Sequence, residues 1–252
     1  MFDNFPIKIS LCITTKDRFE TFLDKSLEKY VTYLDEDIID EIIICDENGN
    51  DYDKILDKYS KFISENKLRV YKNEKILGVF LNKLKVCKLA KNEYISLIDS
   101  DNFADDVYFK VAKKYIEEKN ITKNCIVAPS YPRYHFTCMR NEYSGFIFTK
   151  SNCKDHVNNT NFGALINMGN YIFTKNILDN LVYNESLLPT IHACDVMYFN
   201  LLLFQQIEHF QMHMVPDMEY DHRVHENCVS IETYRECDET KYNVVMPQFY
   251  YL

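Results

Sequence analysis

An α/β architecture, a mostly parallel sheet with helices on both faces, is what this sequence predicts. Three observations carry it. Strand and helix patterns alternate four times in roughly the first hundred residues. The run Glu41-Ile42-Ile43-Ile44-Cys45 is continuously apolar, as for a strand covered on both faces. Polar residues gather where the strand patterns stop, and open sheets of this kind bind ligands outside the carboxyl ends of their strands.

The first element, Ile7 to Thr14, alternates and is rich in β-branched residues, so it reads as a strand. A helix is expected from about Arg18 to Tyr33. The second strand, Glu41 to Cys45, stops at Asp46-Glu47-Asn48-Gly49-Asn50, a cluster of turn formers. A helix over Asp53–Asn66, a strand over Leu68–Tyr71 and a helix over Lys83–Lys91 follow. Tyr94 to Ile98 is the fourth strand. After Lys119 the pattern loosens: Cys125–Pro129 and Asn161–Thr174 read as strand regions, and Tyr131–Lys150 as aromatic-rich and irregular. Asp195–Met214 reads as one buried helix, apolar nearly all round in its first turns. One domain is expected, with residues 1–120 forming a nucleotide-binding half and 121–252 an acceptor-side half and tail. The aromatic end, Phe249-Tyr250-Tyr251-Leu252, is expected to pack on the body or on a neighbouring subunit, which makes a homo-oligomer one expectation.

Composition narrows the function. A formal charge of −9 without a basic cluster argues against a nucleic-acid partner, whose phosphates need Lys and Arg. Nine cysteines without a Cys-x-x-Cys pair suggest a reducing compartment. No apolar stretch approaches the length of a membrane span, and only Met1–Pro6 precede the first strand, so a cytoplasmic protein is expected.

The most informative stretch is Tyr94-Ile95-Ser96-Leu97-Ile98-Asp99-Ser100-Asp101-Asn102. Read as the end of a strand, it points Asp99 and Asp101 the same way, with Cα atoms roughly 6–7 Å apart. Two carboxylates at about 6 Å repel by roughly 2–3 kcal/mol at an effective dielectric near 20. A hard divalent cation turns that repulsion into a binding site, usually shared with substrate phosphates. Thr14, Asp46 and Asp99 each fall at a strand end and would converge on one crevice.

With these residues in hand, the chain resembles the GT-A glycosyltransferases of the large inverting family 2. The strand leading to Thr14-Thr15-Lys16-Asp17-Arg18 resembles the family's turn against the nucleotide. Asp46-Glu47 resembles its acidic pair after strand two, with Glu in place of the usual second Asp. Gly78, Lys83, Ala90, Glu93 and Tyr94 keep a third frame, in which Lys83 replaces an arginine. Asp99-Ser100-Asp101 matches the Asp-x-Asp metal motif. Asn167-Met168-Gly169-Asn170-Tyr171 resembles an acceptor-side glycine turn, and Cys194-Asp195 stands where the family has Glu-Asp. His222-Arg223-Val224-His225 resembles a C-terminal segment that closes over the diphosphate.

The resemblance implies a GT-A (Rossmann-like) fold with a mixed acceptor-side half. It also implies transfer of a sugar from a nucleotide-diphosphate donor, most commonly UDP in the family, to a glycan or other hydroxyl acceptor. Thr14, Thr15, Arg18, Asp46, Glu47, Gly78, Lys83, Asp99 and Ser100 would contact the donor. Asp99 and Asp101, with His225 or His222, would hold Mn²⁺ or Mg²⁺, and Asp195 would be the general base of an inverting displacement.

Blander readings stand beside each role. Asp195 could cap a helix, Asp46 and Glu47 could end a strand in an Asx turn, and Lys83 could sit on an exposed face. His209 and His213, four apart on the expected helix, read as surface or interface residues. The Tyr131–Tyr143 aromatics suit a sugar platform or a packed loop. A sugar nucleotidyltransferase is disfavoured because Thr14–Thr21 holds no glycine. A haloacid dehalogenase-type phosphatase would carry Asp-x-Asp after its first strand. A degenerate glycan- or nucleotide-binding relative is the remaining alternative.

Overall fold

The computed structural model describes residues 7–133, 142–223, 225 and 239–252. Among these, eight strands form one sheet: β1 (Ile9–Thr15), β2 (Glu41–Asp46), β3 (Leu68–Lys72), β4 (Tyr94–Asp99), β5 (Cys125–Arg133), β6 (Ile147–Thr149), β7 (Ile172–Thr174) and β8 (Gln211–Asp221). Their order is β3-β2-β1-β4-β7-β5-β8-β6. β3, β2, β1 and β4 are mutually parallel, β7 runs antiparallel to both β4 and β5, β8 lies parallel to β5, and β6 opposes β8. The sheet is therefore mostly parallel, and it runs without interruption through both halves of the chain.

Side-chain alternation along the strands divides the core into two layers. Ile9, Leu11 and Ile13 of β1 face one side, where they meet α1 (Asp24–Asp35) and α5 (Asp106–Lys119). Cys12 faces the other side, with α4 (Val79–Lys88) and α8 (Asp195–Gln206). The shorter helices are α2 (Tyr52–Lys58), α3 (Ser60–Ser64), α6 (Lys150–Cys153) and α7 (Thr160–Leu165). Six cysteines among the described residues are free and buried. None of the described helices is long and apolar enough to cross a membrane.

The structure corrects several expected elements. The first helix is preceded by a wider π-helical turn, Phe19–Leu23. The second splits into α2 and α3 because Tyr59, between them, leaves helical geometry at ψ 22°. Gly78, at φ +84°, starts α4 one turn before Lys83. The region 161–174 is mostly helix α7 and a turn, with only Ile172–Thr174 in the sheet. The long helix 195–214 ends at Gln206, because Ile207 turns extended (φ −103°, ψ 118°) and His209 takes φ +58°. Gln211 to Met214 enter β8, so His209 and His213 share no helix face. Tyr131 to Arg133 continue β5, residues 134–141 lie outside the described set, and Tyr143 is buried against Phe148 and His156. In the tail, Phe249 packs on Phe162 and Phe204, whereas Tyr251 is exposed.

His213, on β8, is buried between Tyr115 Oη (3.2 Å from Nδ1) and Gln211 Oε1 (3.1 Å from Nε2). Burial, reinforced by the nearby Lys119 charge, pushes its pKa down to about 4. The unfolded chain, titrating near 6.5, then binds the proton that the folded chain refuses. Stability should be complete above about pH 6.5 and fall by roughly 3 kcal/mol as pH drops toward 4. Urea unfolding at pH 7 and pH 4.5 should show a smaller acid loss in His213→Gln than in the native chain. Equal losses would put the acid sensitivity elsewhere.

Candidate active site

The site forms along the carboxyl edge of β1, β2 and β4. Strand register places Thr14 beside both Cys45 and Asp99, and Thr15 beside Asp46. The convergence follows from three parallel strands ending at one level.

Buried acids shape the turns on this edge. The Thr15 hydroxyl donates to Asp51 Oδ2 (2.6 Å), and Asp51 also accepts the amides of Arg18 (3.0 Å) and Phe19 (3.2 Å). Asp46 is fully buried; its Oδ2 accepts the amides of Asp51 (2.8 Å) and Tyr52 (2.9 Å), and its Oδ1 that of Asn48 (3.3 Å). Burial raises the Asp46 pKa, and these amides work against the rise. Glu47 Oε1 accepts the amides of Leu77 (2.7 Å) and Gly78 (2.6 Å), and Oε2 the Asn73 side-chain amide (2.8 Å). The extra methylene of glutamate lets Glu47 fasten the loop entering α4.

At the centre lies Lys83, on the face of α4 turned into the crevice and not on an exposed one. Its ammonium is 3.0 Å from Asp99 Oδ1 and 3.1 Å from Asp195 Oδ2. Burial opposes its charge, but Asp195 and Asp99 outweigh that and hold its pKa above the usual lysine value. Burial pushes the Asp195 carboxyl up, Lys83 pulls it down, and Asp99 adds to the push, leaving it above the ordinary aspartate value. Asp195 is the first residue of α8, where the helix dipole favours a negative charge, and Cys194 holds the cap position. A cavity of about 20 Å³ lies behind Lys83 and Asp195, walled by Phe80, Leu84, Leu97 and Phe199. The pair thus has an apolar backing.

Asp99 is also positioned from the 167–170 turn. Its amide donates to Asn170 Oδ1 (2.8 Å), and Asn170, in the left-handed region at φ +62°, offers its carbonyl to Tyr108 (2.8 Å). A Cβ on Gly169 would stand 3.3 Å from Val196 and 3.9 Å from Asp99 Oδ2, so glycine lets this turn lie against both.

β4 ends at Asp99, and Asn102 N closes a turn onto the Asp99 carbonyl (2.9 Å). Asp101 therefore sits in a turn, and strand alternation does not set its direction. The two acids take different partners: Asp99 meets Lys83, while Asp101 Oδ2 meets His225 Nε2 at 3.1 Å. His222 turns its Nδ1 to Tyr220 Oη (3.3 Å). Ser100 is buried between the acids, and Arg18 is half-buried on the turn after β1.

Among the described residues, no three His, Cys, Asp or Glu close on one point as a metal cage. Asp101 and His225 nevertheless fit a shared ion: their 3.1 Å separation is that of adjacent ligands each about 2.1 Å from one metal. Such a pair leaves further positions to substrate oxygens. Of the residues sequence reasoning missed, Asp51 was the most legible, lying five positions after Asp46 in a turn-forming run. Asn170 and Asn102 lie within recognised stretches without a role assigned there, because their roles depend on contacts 71 and 121 residues away.

Asp51→Ala should cost roughly 2–4 kcal/mol in urea unfolding, because two backbone amides and a buried hydroxyl lose a charged acceptor. Asp51→Asn, which keeps an acceptor, should lose less. A neutral Asp51→Ala would show that the turn after β1 holds without it.

No curated protein sequence matches the chain significantly. Solved structures of S. aureus TarS share the fold. TarS 1–349 aligns at TM-score 0.62 with 17% identity over 85% of this chain. Its complex with UDP aligns at 0.64 with 16% identity, and that with UDP-GlcNAc at 0.65 with 15%, each over 97% of this chain. The chain spans 59% of the first TarS structure and 70% of each complex. A family model described as glycosyl transferase family 2 matches residues 10–175, from β1 past the Asp-x-Asp turn and through β7. With that match covering well over half its length, on a mostly parallel sheet of GT-A type, the chain belongs to glycosyl transferase family 2.

Proposed function

We propose that this protein transfers a sugar from a nucleotide-diphosphate donor, a UDP-sugar first among candidates, to a hydroxyl acceptor, with inversion and with a divalent cation. The observation that carries the reading is the single ammonium of Lys83 held between Asp99 and Asp195. It brings the first acid of the metal motif and the candidate base into one crevice at the strand ends. TarS, with the same fold, has been solved with UDP and with UDP-GlcNAc, which supports the donor class.

In this reading Asp195 accepts the acceptor's hydroxyl proton as the oxygen attacks the anomeric carbon from one face. The bond from that carbon to the diphosphate oxygen breaks on the opposite face, and the nucleoside diphosphate leaves with the electron pair. Burial raises the affinity of Asp195 for the proton, and Lys83 works against that rise. Asp99, Asp101 and Asp195 set three formal negative charges against one ammonium, a deficit that a divalent cation would cancel. Asp101 and His225, with Asp99 alongside, would hold Mn²⁺ or Mg²⁺, which supplies Lewis-acid neutralisation of the departing diphosphate. Thr14, Thr15, Arg18 and Gly78 line the donor side. Asp46 and Glu47 act there by fixing turns, since backbone amides and Asn73 already engage their oxygens.

Release of UDP from a panel of UDP-sugars with Mn²⁺ tests the proposal. Asp195→Asn should lower kcat by about 10²–10⁴-fold, the range of a lost general base. Asp99→Ala should abolish turnover. UDP binding by the native chain without turnover of any donor would reassign it to nucleotide binding alone.

The pH profile gives a separate check. The acid limb of kcat/KM should lie above the usual aspartate value, because activity needs Asp195 unprotonated. In Lys83→Met, burial and Asp99 act on Asp195 without the opposing ammonium, so the limb should move to higher pH. An unmoved limb would separate Lys83 from the base.

A further inference from the structure

We propose that Phe22 is a positioning residue that holds the His225 imidazole against Asp101, so that the turn after β1 aligns a metal ligand delivered from beyond β8. The inference rests on the metal-dependent reading above and adds a residue to it.

The segment carrying His225 crosses the Asp-x-Asp turn on several anchors. Phe103 and Asp221 exchange backbone hydrogen bonds (3.1 and 2.7 Å). Arg223 N donates to Asn102 Oδ1 (3.0 Å), and the Arg223 guanidinium lies 5.9 Å from the Phe103 ring centroid. These contacts fix the backbone as far as Arg223. They end two residues short of His225, whose ring needs a constraint of its own.

Phe22 supplies that constraint. Its ring centroid is 4.6 Å from that of His225 at an interplanar angle of 31°, while Nε2 of the same imidazole meets Asp101. Phe22 belongs to the π-helical turn Phe19–Leu23, whose other apolar members, Phe19 and Leu23, are buried in the core. Phe22 alone is left half-exposed on the crevice side. The core thus anchors the turn through two residues and presents the third to the histidine. Partners that orient a metal-binding side chain commonly change metal affinity by about 10–100-fold when removed.

The test measures UDP affinity by calorimetry with Mn²⁺ and with EDTA, which separates metal-dependent binding from nucleotide binding. The gain on adding Mn²⁺ should be about tenfold smaller in Phe22→Ala, with the EDTA value unchanged. Phe22→Tyr should restore the gain. Phe22→Leu, which keeps apolar bulk without the ring, should not. In a His225→Ala background Phe22→Ala should cost nothing more, since the two act through one contact. Equal weakening with Mn²⁺ and with EDTA, full function of Phe22→Leu, or an undiminished effect in the His225→Ala background would each overturn the proposal. A native chain whose UDP affinity ignores Mn²⁺ would overturn the metal reading itself, and this inference with it.

Discussion

The crevice depends on one cation held between two acids from distant parts of the sequence. Lys83 comes from α4, Asp99 from the end of β4 and Asp195 from the start of α8, and their charged atoms meet at about 3 Å. A buried ammonium is tolerated only when its counter-charges surround it, and the buried Asp195 carboxylate needs the ammonium in return. Packing α4 and α8 over one face of the sheet is what delivers all three. The apolar backing behind them lowers the local dielectric, which strengthens the attraction and raises the cost of breaking it.

Around that centre the acidic residues divide into two kinds of work. Asp46, Asp51 and Glu47 spend their oxygens on backbone amides and fix three turns. A sheet edge has strand-end amides to satisfy, and a carboxylate is a strong acceptor for them. Asp99, Asp101 and Asp195 instead meet side chains that carry or can carry charge. A substrate could compete for those partners, whereas displacing amides from Asp46 would unmake the turn that defines the site.

Much of the first hundred residues was legible because strand and helix patterns alternate there: β2 is a continuous apolar run buried on both faces, β1 alternates, and β3 and β4 fall where short strand patterns lie between helical ones. Legibility failed where an expected helix was carried across a polar interruption. Gln205 to Gln211 is mostly polar and exposed between the apolar parts of α8 and β8, and the backbone leaves the helix there at Ile207 and His209. The Asp-x-Asp pair was misread in a related way. Alternation holds only while the strand lasts, and β4 stops at the first of the two acids.

By itself the sequence determined the order of strands and helices in its first hundred residues, the level at which polar residues leave the sheet there, and the set of acids available. Local patterns suffice for these, since burial on two faces and turn chemistry act over a few residues. Only the tertiary structure decided the partners: Lys83 for Asp99 and Asp195, His225 for Asp101, backbone amides for Asp46 and Glu47. Apart from the local amides of Asp46, those choices are made between groups from sixteen to more than a hundred residues apart, by the distance and burial that packing imposes. No period or spacing along the chain encodes them.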